Sequence, residues 1–132
     1  MTEQPTALAR LVAYLTGGFF LIYGASFALS PNAMLGLVTQ YEIAGPSALV
    51  DFRATYGGLQ LAVGVLILYL FQGGQVRTSL IASAAILFTM ALFRSIGLAS
   101  DGPGNVLMWV YLSLEIGGGL LAIVALRGAA RA

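Results

Sequence analysis

The sequence has 132 residues, 59% of them hydrophobic and only 8% charged, with a mean hydropathy of +0.93, whereas a soluble domain is about 25% charged. Six basic residues, all arginine, and five carboxylates are too few to cover a water-facing surface, and a net charge of +1 without a basic stripe excludes a nucleic-acid partner. Histidine and cysteine are both absent, which excludes disulfides, thiol nucleophiles and histidine or thiolate metal sites.

A membrane-crossing helix needs about 20 predominantly apolar residues. The first such window runs from about Leu8 to Leu29 and stops before Pro31. Arg10 ahead of an apolar run also opens many signal peptides. This run, however, is longer than a typical signal core, contains Tyr14, Tyr23 and paired glycines, and lacks a small-residue cleavage site, so it is expected to stay as a span. The connection from about Ser30 to Ala48 is apolar at Met34-Leu35-Gly36-Leu37-Val38 and bounded by Pro31-Asn32 and Gly45-Pro46. It reads either as a short interfacial helix over 32–40 or as an ordered loop with buried anchors. Further spans are expected over about 49–71, 76–98 and 105–126. The turns between them are Gln72-Gly73-Gly74-Gln75 and Ser100-Asp101-Gly102-Pro103-Gly104. Backbone groups in lipid must be satisfied locally, so the fold class is all-α: an integral membrane bundle of four transmembrane helices forming one domain over 1–132.

Arginines set the orientation. Arg10, Arg77, Arg127 and Arg131 fall on one side, opposed only by Glu3, while Glu42 and Asp101 lie on the other. Both termini are therefore expected in the cytoplasm. In lipid, helix partners are chosen by small residues that permit close approach. Candidates are Gly17 and Gly24 in the first span, the stripe Ala54, Gly58 and Ala62 in the second, and Gly118 in the fourth. The first two spans share a pattern: Thr16-Gly17-Gly18 with Leu21 and Gly24 parallels Tyr56-Gly57-Gly58 with Leu61 and Gly64. In oppositely directed spans this hints at an inverted repeat.

Polar groups inside a span are costly and normally face a protein interior or a cavity. Asp51 and Arg53 fall in the first turn of the second span, Tyr56 one to two turns deeper, and Gln60 about 15 Å in. Arg94 lies near the outer end of the third span and Glu115 near the middle of the fourth. Arg53, Tyr56, Gly57 and Gln60 share a face at helical spacing, as do Met108, Tyr111, Glu115 and Gly118. If the faces converge, they line a pocket opening near Asp51 and Arg94 and narrowing toward Gln60 and Glu115. Asp51 and Arg53 could simply snorkel to head groups. Glu115 has no such reach and needs a partner. A brace from Arg94 or Arg53, a ligand pocket with an arginine-held head group, and a proton-coupled role all stand open.

No cofactor, metal or catalytic set is expected. Glycines 117–119 lie inside a span without the lysine of a phosphate-binding loop. Tyr41, Tyr69 and Trp109 read as interface anchors.

The run Asp51-Phe52-Arg53-Ala54-Thr55-Tyr56-Gly57-Gly58-Leu59-Gln60, with Arg94-Ser95-Ile96-Gly97, Asp101-Gly102 and Glu115, resembles the signature of a bacterial membrane family catalogued as domain of unknown function 4345. The resemblance implies a small four-helix inner-membrane protein with no established activity. The expected function is a membrane-embedded binding protein for a lipid or small hydrophobic ligand. The alternatives are a structural or accessory subunit, packed on itself or on a larger membrane partner, and a small homo-oligomeric transporter.

Overall fold

The computed structural model describes residues 5–129. Among these there is no strand, and the described residues form five helices: α1 (Ala7–Leu29), α2 (Pro31–Thr39), α3 (Pro46–Gln72), α4 (Val76–Ser100) and α5 (Val106–Ala129). Four of them, α1, α3, α4 and α5, are apolar over 23 to 27 residues. At about 1.5 Å per residue each is long enough for the roughly 30 Å hydrocarbon layer. The chain is thus an all-α, multi-pass membrane protein. Glu3 and Arg131, used above to weigh the orientation, lie outside the described residues.

The helix ends follow local chemistry. Proline occupies the start of both α2 and α3, where a missing N–H costs nothing, so α3 begins at Pro46 rather than near Leu49. The segment expected at 32–40 is α2, which buries Pro31, Leu35 and Val38 along one side and ends at Gln40 in the left-handed conformation (φ 59°), its N–H on the Gly36 carbonyl. α3 ends in a Schellman motif. Gly74 takes φ +80°, the Gln75 N–H bonds the Leu70 carbonyl at 2.9 Å, and the Gly74 N–H bonds that of Phe71 at 3.2 Å. Asn105 caps α5, its Oδ1 accepting the Met108 N–H at 3.2 Å.

α3 is not uniform. Between Pro46–Phe52 and Gln60–Gln72 the segment Arg53–Leu59 is π-helix. Its wider turn breaks the 3.6-residue spacing on which a single Arg53/Tyr56/Gly57/Gln60 face was expected. Such insertions are rare and concentrate at functional sites.

The chain divides into two compact units, residues 5–16 with 67–129, and Gly17–Leu66. In the first, Ala9, Val12 and Ala13 of α1 pack with Phe71, Leu80, Ala84, Ala122 and Ala125. The Ser79 hydroxyl, fully buried, donates to the Ile67 carbonyl at 2.9 Å.

In the second unit α1 and α3 meet backbone to backbone. A Cβ at Gly24 would lie 2.6 Å from the Leu61 nitrogen and 2.9 Å from the Gly57 carbonyl oxygen. A Cβ at Gly64 would lie 2.8 Å from the Leu21 nitrogen and 2.7 Å from the Gly17 carbonyl oxygen. An offset of 40 residues maps Gly17, Leu21 and Gly24 onto Gly57, Leu61 and Gly64. The two contacts are therefore the same contact with the helices exchanged. The pattern shared by the two spans is the pattern of their mutual interface.

The stripe Ala54, Gly58 and Ala62, expected to pack, is exposed instead. A face carrying Gly57 and Gly64 admits a closer backbone than one whose glycine is flanked by two methyl groups. That difference selects the contact. Gly17 and Gly24 pack as expected, and Gly118 receives the Leu87 side chain, whose Cδ1 would lie 3.0 Å from an added Cβ.

Candidate functional site

The polar residues gather in two places, one in each unit. The first lies between α4 and α5. On α4, Leu80, Ala84, Leu87, Ala91 and Arg94 recur at alternating four- and three-residue spacing; on α5, Met108, Tyr111, Glu115, Gly118, Ala122 and Ala125 do the same. These are the seam positions of an antiparallel helix pair. The seam is apolar except for one layer, where Arg94 meets Glu115.

The Arg94 Nε donates to both carboxylate oxygens, at 3.1 and 2.9 Å, and Nη2 donates to Oε1 at 2.5 Å. Nη1 lies 3.3 Å from the Met108 sulfur, and the guanidinium carbon sits 5.3 Å from the centre of the Tyr111 ring. Glu115 is 5% exposed. Arginine's planar fork matches a carboxylate in this two-pronged way, and the aromatic face disperses its remaining charge. No buried side-chain polar atom among the described residues is left without a partner. The partner of Glu115, left open between two arginines by the sequence, is therefore Arg94.

The second place is the α1–α2 corner facing the start of α3. Here Arg53, the first residue of the π segment, donates from Nη1 to the Ala28 carbonyl and, at 3.5 Å, to that of Leu29. These are terminal carbonyls of α1, which continue into no further helical bond because Pro31 starts a new helix. A cation there complements the negative end of the helix dipole. Among the described residues Nε and Nη2 of Arg53 make no hydrogen bond. Three residues further on, Tyr56 lies between Phe52 and Phe27, at centroid separations of 5.1 and 5.3 Å, and Phe27 continues to Tyr23 at 5.0 Å. Asp51 is exposed and pairs with no cation; its backbone carbonyl accepts the Thr55 hydroxyl at 2.8 Å. Gln60, where α-helix resumes, is half-buried.

Two hollows open beside this corner. One of about 310 Å³ is lined by Arg53, Ser30 and Asn32 together with the apolar Leu29, Pro31 and Leu49. The other, about 490 Å³, is lined by Glu42, Ile43 and Gly36 and shares Asn32 and Ala33 with the first. Neither is lined by Tyr56, Gln60, Arg94 or Glu115. Glu115, toward which a pocket was expected to narrow, is held by Arg94. Ser30, Asn32 and Glu42 were missed by sequence reasoning. The apolar core of the 30–48 connection drew attention away from its polar ends, although Ser30-Pro31-Asn32 is a recognisable helix start.

A family model described as domain of unknown function (DUF4345) matches residues 8–126. The chain matches no curated protein and no solved structure.

Proposed function

We propose that this chain, which belongs to the DUF4345 family, is a membrane-embedded binding protein for a lipid or other small amphipathic molecule, held at the α1–α2 corner rather than in the interior. The observation that carries this reading is the hollow of about 310 Å³ that joins a guanidinium with two free nitrogens to apolar walls. An anionic head group satisfies Arg53, and the first turn of α2 adds its unbonded N–H groups to the same anion. The acyl portion then lies along Leu29, Leu49 and the exposed face of Tyr56. In this reading Arg94 and Glu115 brace the α4–α5 pair and touch no ligand.

The membrane proposed is the bacterial inner membrane, with both termini cytoplasmic. Arg10, Arg77 and Arg127 support that side assignment, and Glu42 and Asp101 occupy the other side. The test is lipid retention: protein extracted in mild detergent should carry amphiphile into native mass spectrometry, and Arg53→Gln should remove most of it. Equal retention by wild type and variant would sink the site.

A second reading has its own observation. Ala54, Gly58 and Ala62 are exposed along α3, which suits close docking of another membrane helix in an accessory-subunit role. Cysteines placed along that stripe in the cysteine-free chain would crosslink to a second chain in that case and stay monomeric in the first.

A further inference from the structure

The two hollows at the α1–α2 corner carry opposite charges. Arg53 lines one and Glu42 the other, and the exposed first turn of α2, Asn32 and Ala33, is common to both. Arg53 and Glu42 form no ion pair with each other or with another described residue. A site for a simple anion would have no use for the carboxylate, which would repel it. We infer that the ligand of the corner is a zwitterionic lipid of the phosphate–ammonium class, its phosphate on Arg53 and the first turn of α2 and its primary ammonium on Glu42.

The chemistry narrows the class further. A primary ammonium donates charge-assisted hydrogen bonds to a carboxylate, and Asn32, which lines both hollows, carries an amide oxygen as a further acceptor. A quaternary ammonium has no N–H and keeps only the Coulomb attraction. A glycerol head group satisfies Arg53 and leaves Glu42 unpartnered. The order of preference is therefore ethanolamine over choline and over glycerol.

This inference rests on the proposed binding function, and the experiment separates the two. Delipidated protein is titrated with phosphatidylethanolamine, phosphatidylcholine and phosphatidylglycerol of identical chains, and bound lipid is counted by native mass spectrometry. Wild type should prefer phosphatidylethanolamine by about three- to fivefold, the size expected of one water-exposed ionic contact. Glu42→Gln should erase that preference while phosphatidylglycerol still binds, and Glu42→Asp should restore part of it. Arg53→Gln should weaken all three lipids together. A preference unchanged in Glu42→Gln, or absent from wild type, overturns the zwitterion assignment alone. Failure of every lipid to bind overturns the binding function as well. Soluble glycerophosphoethanolamine at millimolar concentration should leave the lipid in place, and displacement by it would contradict a lipid ligand.

Discussion

The guanidinium of Arg94 grips the carboxylate of Glu115 on the neighbouring helix, with Nε 2.9 Å from one oxygen and Nη2 2.5 Å from the other. Among the described residues this is the polar layer of an otherwise apolar helix seam, and it fits the proposed reading in which the mid-span carboxylate braces the helix pair. A lone charge there would face a desolvation cost of several kcal/mol, whereas the pair shares its charge over an aromatic ring and a thioether.

Breaking the pair should therefore cost more than removing it. Glu115→Ala or Arg94→Ala each leaves an unmatched buried charge and should destabilise by about 3–5 kcal/mol. The double replacement Arg94→Met with Glu115→Leu fills the seam and should recover most of that loss. Unfolding titrations in mixed micelles would show it; single variants as stable as wild type would refute the brace.

The α1–α3 contact makes a sharper steric prediction. Gly24→Ala and Gly64→Ala push a methyl group into backbone atoms 2.6 to 2.9 Å away and should each destabilise by about 1–3 kcal/mol. Gly58→Ala on the exposed stripe, with nothing nearer than the Arg53 carbonyl oxygen at 3.9 Å, should change stability by less than about 0.5 kcal/mol. Thermal unfolding of the three variants side by side checks the contrast.

The chain's lack of cysteine allows the orientation to be read cleanly. Single cysteines at Tyr41 or Asp101 should react with a membrane-impermeant maleimide added to intact spheroplasts. A cysteine at Arg77 should react only after permeabilisation. The reverse pattern would invert the proposed topology.

How much of this was legible in the sequence differs between the two units. The four spans were readable because about 20 apolar residues bounded by glycine, proline and arginine have few other uses. The Arg94–Glu115 pairing was half legible: depth required a partner for Glu115, but two arginines competed. Only the helix register, which places Arg94 on the Leu80–Ala91 seam, decided between them. The α1–α3 glycine pattern was visible as a shared motif, yet its meaning as a reciprocal interface appears only when the helices meet. Least legible was the α3 start. A π segment over Arg53–Leu59 alters the spacing that a 3.6-residue reading assumes, and no propensity rule announces it. Ser30, Asn32 and Glu42 were not singled out because the apolar core of the 30–48 connection dominates its pattern.

The central claim is that the ligand sits at the α1–α2 corner and not against the buried ion pair. A structure of the protein in lipid nanodiscs is the decisive measurement. Non-protein density is expected in the hollow beside Arg53, between Leu29 and Leu49, with Arg94 still closed on Glu115. Density reaching Glu115, with Arg94 drawn away from it, would instead place the ligand at the ion pair and refute the corner site.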